Sequence, residues 1–276
     1  IINKLKTFKD NKSQSLLQAA KAIMTTDTYP KIAHEKIKFN GNYINIYGIA
    51  KGSGMIAPNM GTMLSYIFIE ADLTKKELDK LLIENIEDSF NSISVDGDMS
   101  TNDTVMIFSL NKKYVKKINK NKLLLELISL YLRKLMINLA KQIVSDGEGI
   151  SKLIEVNVKN AKNKKQAKNI AFSIANSLLV KTAIFGEDAN WGRIIMAIGK
   201  TSEKINQFNI SLKMGNNSVI KNGKISKNFN EKKLSKYMKQ KVIKINIDLK
   251  IGEFNKTVWS SDLSKKYIEI NADYRS

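Results

Sequence analysis

From Ser13 to Met24 apolar side chains fall at Leu16, Leu17, Ala20 and Ile23, the stripe of one helix face. The period then changes to two. Ile37 and Phe39, and after them Tyr43 to Ile49, alternate with polar residues, and the intervening Asn40-Gly41 predicts a hairpin. Ser65 to Ile69 reads as a further strand. Thr74 with Glu77 forms a capping box that opens a helix through Leu78, Leu81, Leu82 and Phe90. A strand is predicted from Val105 to Leu110, a long helix over 121–144 stopped by Gly147 and Gly149, a strand at Leu153–Val158 and a helix over 162–178. Asn190 is placed to cap a short helix through Gly199. Beyond residue 200 the order is strand, Asn222-Gly223 turn, helix at 230–239 and strand at 242–250, with Tyr267 to Ile270 alternating as a short strand-like lead. The sum is α+β, with strands on both sides of Thr62.

Composition narrows the chemistry. The 276 residues, 43% of them hydrophobic with only 2 prolines, can bury a sizeable core in one or two domains. The most apolar stretch, Leu123 to Leu139, is cut by Glu126, Arg133 and Lys134, so it reads as a buried amphipathic helix and not as a membrane span. Lys4, Lys6 and Lys9 interrupt any signal-peptide core. A formal charge of +20 raises nucleic-acid binding as a reading. The lysines, however, are spread through every segment, and the densest run, Lys112 to Lys122, reads as a solvated linker. The expectation is therefore no nucleic-acid partner, with a positive field that favours anionic substrates.

A shortage says more. The chain has one histidine and no cysteine, which excludes a cysteine nucleophile, a thiolate metal site and a His-pair zinc site. His34, in a polar approach to a strand, reads as solvent-facing. Covalent catalysis would have to use Ser, Thr or Lys, with a base other than histidine.

The segment KGSGMIAPNMGTML, residues 51–64, offers such a nucleophile. Its glycines at 52, 54 and 61 allow unusual dihedrals, Pro58-Asn59 supplies a rigid turn, and Thr62 leads into a strand. A strained Gly61 carbonyl facing the Thr62 hydroxyl would permit an N→O acyl shift. Hydrolysis would then free an α-amino group on Thr62 able to act as the base. Taken alone, such a loop is more often a plain turn. VDGDMSTNDTV, residues 95–105, begins with the Asp96, Asp98, Ser100, Asn102 spacing of a calcium loop. Its sixth position is Thr101 instead of glycine and its twelfth is Ile107 instead of Glu, so calcium is rejected in favour of an Asx-rich turn flooring a site.

Six segments in order carry a resemblance: AIMTTDTYPK at 22–31, KGSGMIAPNMGTML at 51–64, VDGDMSTNDTV at 95–105, DGEG at 146–149, LVKTAIFGEDANWGRIIMAIG at 179–199 and EINADYRS at 269–276. The chain resembles the ornithine acetyltransferase (glutamate N-acetyltransferase) family along its whole length. That resemblance implies an αββα-like sandwich of the self-cleaving N-terminal-nucleophile type. It also implies a cytoplasmic enzyme that needs no cofactor and moves an acetyl group from N-acetylornithine to glutamate, with acetyl-CoA left open as a second donor. Cleavage between Gly61 and Thr62 would divide the sequence into residues 1–61, the end of an α chain, and 62–276, a β chain with a core over 62–200 and a C-terminal subdomain over 201–276. Two α and two β chains are expected to assemble.

Matching positions carry roles over. Thr62 matches the nucleophile. Thr25, Lys51, Glu148, Asn271 and Ser276 match substrate contacts, although Thr25 also suits a helix-end turn, Lys51 and Glu148 plain solvation, and the tail fraying. FGEDANWGR is assigned to structure. Two departures stand out: Gly61 occupies a position where the family usually has alanine, and the Thr-Gly pair of the family's oxyanion hole, expected upstream, has no match here. A Thr-nucleophile hydrolase with water as acceptor is the nearest alternative, and an inactive truncated relative is another.

Overall fold

A computed structural model describes residues 15–57, 63–98, 102–110 and 122–273. Helix α1 (Leu16–Ala22) opens on a capping box of Ser15 and Gln18. Strands β1 (Lys31–Phe39) and β2 (Asn42–Lys51) pair antiparallel from Lys31↔Ala50 to Phe39↔Asn42. Their turn needs left-handed backbone at both residues, and Asn40 (φ 47°) and Gly41 (φ 76°) supply it. The hairpin is where the alternation placed it. β3 (Leu64–Ile69) adds antiparallel to β2, and β5 (Thr104–Ser109), which follows the two-residue β4 (Ile93–Ser94), adds parallel to β3. Sheet I thus runs β1-β2-β3-β5.

Between β3 and β4 lies α2 (Lys75–Ile86), with the expected Thr74/Glu77 capping box. The long helix α3 (Lys122–Ser145) buries Ile128, Leu132, Leu135, Met136, Leu139 and Ile143 on the inner face of sheet I, in one core with Ile37, Ile44, Ile46 and Ile67. Gly48 is there for space: a Cβ on it would stand 2.7 Å from a Leu139 methyl and 2.8 Å from a Leu135 methyl, so a larger residue would force these packed side chains of α3 to shift.

Sheet II has the order β4-β11-β6-β10-β7-β8-β9, with β6 (Leu153–Ala161), β7 (Ser211–Met214), β8 (Asn217–Lys221), β9 (Lys224–Ile225), β10 (Val242–Asp248) and β11 (Phe254–Ser261). β10 pairs parallel to β6 and β11 pairs antiparallel to it, and β6 and β10 alternate buried apolar residues with more exposed polar ones, so one face of these strands is turned to the core. Helices α4 (Lys164–Ala175), α5 (Leu178–Phe185), α6 (Trp191–Gly199) and α7 (Glu231–Met238) fill the second core with Val156, Val158, Ile170, Ile174, Ile245 and Val258. The result is an α+β sandwich of helices on sheets, in the expected fold class.

Several local expectations differ. The helix expected through Phe90 ends at Ile86, and Phe90 instead opens a single 3-10 turn over Phe90–Ser92. The helix read over 162–178 ends at Ala175, because Ser177 accepts a hydrogen bond from the Val180 amide and starts α5 separately. Asn190 occupies the N-cap of α6 without a side-chain cap bond; its amide donates to Asp188 Oδ2 at 3.1 Å. β11 lay beyond the reading, since its last four residues are buried without alternation. The lead over Tyr267–Ile270 is helical: α8 (Lys265–Ala272) is capped by Ser264, whose Oγ accepts from the Tyr267 amide. Capping outweighed the β-propensity of a short Tyr-Ile-Glu-Ile run.

Candidate functional site

Three segments meet at one end of sheet I: the link from α1 to β1, the end of β2, and the end of α3. Asp27 lies in the first, and its carboxylate accepts from the amides of Thr25 (3.1 Å) and Gly52 (2.7 Å). Lys51, almost buried at the close of β2, donates from Nζ to Thr25 Oγ1 at 3.5 Å. Behind them Lys31, with no exposed surface, is held between Asp27 Oδ1 (2.5 Å) and Asp146 Oδ2 (2.6 Å). Burial pushes the Asp27 carboxyl up, but the Gly52 amide, Lys31 and the Thr25 amide outweigh it and hold the group below its ordinary range.

The end of α3 joins from the other side. Ser53 Oγ donates to the Asp146 carbonyl at 2.6 Å, and the Glu148 amide donates to the Ser53 carbonyl at 3.2 Å. Asn271, on α8, donates from Nδ2 to Glu148 Oε2 at 3.1 Å. The tail is seated by Gly149 (φ 67°), where a Cβ would stand 2.5 Å from the Tyr267 backbone nitrogen, and by a bond from Ser264 Oγ to the Gly149 carbonyl. The sequence-derived residues therefore fall into two neighbouring pairs, Thr25 with Lys51 and Asn271 with Glu148, joined through Ser53. Gly61, Thr62 and Ser276 lie outside the described residues.

The chain on either side of Gly61-Thr62 is held by two aspartates of VDGDMSTNDTV. Asp96 accepts from the amides of Met55 (2.7 Å) and Ile56 (3.1 Å), and Met55 takes left-handed backbone, φ 56°. Tyr267 donates to the same carboxylate at 3.3 Å, and burial together with the Asp96 charge pushes its phenol up to about 12. Asp103 accepts from the Met63 amide at 2.6 Å. Burial raises Asp103 to about 6, against the opposing pull of the Met63 amide and the Lys51 charge. An open cavity of about 440 Å³ lies here, lined by Ile56, Ala57, Met63, Phe90, Asp103 and Val105 among others. The Asp98 amide turns back to Asp96 at 3.2 Å, the Asx turn expected of this segment.

The sequence singles out Thr25, Lys51, Glu148 and Asn271 but not the side chains that hold their segments in place. Asp27, Asp96, Asp103 and Asp146 all stand inside the quoted segments, and an acidic residue beside glycines or a Thr-Thr pair was the available signal. Lys31 carried none, because only folding brings Asp146 to it. His34 is exposed and stacks on Tyr47 at 4.7 Å between ring centroids. Most of the 112–122 run lies outside the described residues. Among the described residues no group of three His, Cys, Asp or Glu side chains could hold a metal ion, and no helix is long and apolar enough to cross a membrane.

Comparison with known proteins places the chain in a family. The model of the ArgJ family matches residues 1–276. The arginine biosynthesis bifunctional protein ArgJ of Bartonella henselae is 47% identical over 278 residues, covering 100% of this chain and 68% of that protein. Its namesake from Mesorhizobium japonicum is 45% identical over 271 residues, covering 97% and 66%. The chain thus spans about two thirds of the length of these relatives. A crystal structure of arginine biosynthesis bifunctional protein argJ from Bacillus halodurans superimposes with a TM-score of 0.67 at 36% identity, covering 77% of this chain and 100% of that one. The chain belongs to the ArgJ family.

Proposed function

We propose that this protein acts in arginine biosynthesis by moving an acetyl group from N2-acetylornithine to glutamate, through an acetyl ester on Thr62. The observation that carries this reading is the convergence of Thr25, Lys51, Glu148 and Asn271 on the loop that leads to Thr62. Lys51 suits a substrate carboxylate, and Glu148 with Asn271 suits a substrate ammonium. Both substrates are α-amino acids or their derivatives, so one set of contacts can serve donor and acceptor in turn.

Thr62 is first released by attack of its hydroxyl on the Gly61 carbonyl. The amide becomes an ester, water hydrolyses it, and a free amine remains on Thr62. In the transfer itself the Thr62 oxygen attacks the acetyl carbonyl while the amine takes its proton. The C–N bond then breaks, and ornithine leaves with that proton. The glutamate amine attacks the resulting ester and regenerates the hydroxyl. One feature supports the cut: Asp96 and Asp103 fix the chain on both sides of the junction.

The same reading assigns residues 1–61 to an α chain and 62–276 to a β chain with its core over 62–200 and a C-terminal part over 201–276. It places two of each chain in a cytoplasmic enzyme, with acetyl-CoA as a further candidate donor. The test is intact-mass measurement joined to an acetyl-transfer assay. Wild type should give two chains split at Gly61/Thr62, and Thr62→Ala one inactive chain. Acetate release without glutamate-dependent transfer would make the protein a hydrolase instead.

A further inference from the structure

Two carboxylates and one ammonium, all buried, form a unit behind the candidate site. Lys31 Nζ stands 2.5 Å from Asp27 and 2.6 Å from Asp146, donates to the Tyr29 carbonyl at 3.4 Å, and lies 4.9 Å from the Tyr29 ring centroid. The excess negative charge is met by further donors: the Thr25 and Gly52 amides on Asp27, and the Thr28 amide (2.9 Å) and hydroxyl on Asp146. A buried ion triad is a poor source of net stability, because desolvation offsets most of its attraction. Its geometric effect is much larger. One carboxylate holds the amides of Thr25 and Gly52 together, and the Thr25 hydroxyl and the Lys51 ammonium are neighbours as a result. The other ties Lys31 to the end of α3, two residues before Glu148.

We propose that Asp27 is a positioning residue for substrate recognition, acting through Thr25 and Lys51, with Lys31 and Asp146 fixing its carboxylate. The proposal rests on the acetyl-transfer reading. Asp27 touches no substrate; it sets the separation and direction of two groups that do. Its two oxygens serve three donors, so the single carbonyl of an asparagine cannot keep all of them.

The test is Asp27→Asn in the full-length protein, with KM and kcat measured separately. Losing a charged acceptor for one of the two amides should raise KM for acetylornithine and glutamate by about 10- to 100-fold, with kcat changed less and the cut at Thr62 intact. Asn85→Ala serves as a structural control. Asn85 is buried between Leu81, Ser129 and Arg133, far from these segments in the chain, and its loss should lower Tm while leaving KM unchanged. If Asp27→Asn does not fold, Thr28→Val loosens Asp146 from the surface, and a KM raised by about 3- to 10-fold is expected. Unchanged KM in a folded Asp27→Asn, or in Thr28→Val, overturns the positioning role while leaving the function standing. A wild-type enzyme that transfers no acetyl group overturns both.

Discussion

Gly54→Ala should damage the site while sparing the fold. Gly54 does not adopt left-handed backbone, so alanine fits its conformation, but the new Cβ would stand 2.6 Å from Glu148 Cδ and Oε2 and 2.8 Å from Oε1. Ordinary contact needs roughly 3.4 Å, so the carboxylate has to move by about 0.8 Å. It can do so cheaply, since only the end of a half-buried, flexible side chain is displaced. The Glu148 backbone stays pinned by its bond to the Ser53 carbonyl. Stability should therefore change by less than about 1 kcal/mol, with the lost freedom of the unfolded glycine partly offsetting any strain. Function is the sensitive readout, because a displacement near 1 Å in a positioned group can cost about 100-fold in rate. We expect kcat/KM for acetyl transfer to fall by about 10- to 100-fold with Tm nearly unchanged. A double-mutant cycle isolates the cause: in a Glu148→Ala background the same substitution should cost almost nothing further. Wild-type kinetics in Gly54→Ala, or full additivity with Glu148→Ala, would refute the role given to that carboxylate.

Three further expectations follow from the site and its surroundings. Gly61→Ala should still be cut before Thr62, since the family usually carries alanine there, whereas Thr62→Ala should remain whole by mass spectrometry; an uncut mutant that transfers acetyl normally would remove Thr62 from the mechanism. If the Thr62 amine is the base, kcat/KM should rise as pH passes through its pKa, about 7.7–8.0 when unperturbed, and a flat profile from about pH 6 to 9 would contradict it. Lys181 is buried among the Val95 carbonyl (2.7 Å) and the Ser260 and Ser261 oxygens, and burial lowers its amine to about 8, against the pull of Asp262 and Asp96. Between about pH 8 and 10.5 the unfolded chain then binds the extra proton, so urea stability relative to Lys181→Met should rise with pH by up to roughly 3 kcal/mol; a constant difference would show that its pKa is unshifted.

How far the sequence could be read depended on whether its signals were local. The β1-β2 hairpin and the capped start of α2 were legible because alternation, Asn-Gly and Thr-x-x-Glu act within a few residues. β11 was not, because burial on both faces erases the period that marks a half-exposed strand. α8 was misread because a capping serine outside the window decided the matter. The site divides in the same way. Thr25, Lys51, Glu148 and Asn271 came from matched segments, which preserve residue types. Lys31 and Asp146 are 115 positions apart, and no pattern along the chain announces that they form an ion pair at 2.6 Å.

The sheet also explains how a cut chain could keep its site. β1 and β2 precede Thr62; β3 and β5 follow it, yet all four form one sheet, with β2 and β3 paired from Ile46↔Ile69 to Lys51↔Leu64. Breaking the Gly61-Thr62 bond removes none of those ladder bonds and none of the apolar contacts that hold α3 against β1 and β2. Thr25, Lys51 and the Asp27-Lys31 pair would stay on the first piece, with Asp146, Glu148 and Asn271 on the second. The bond from Lys31 to Asp146 and that from Ser53 to the Asp146 carbonyl would then run between chains. Cleavage would change the terminus at Thr62 without asking the rest of the site to move, which is what a nucleophile made by self-processing requires of the fold around it.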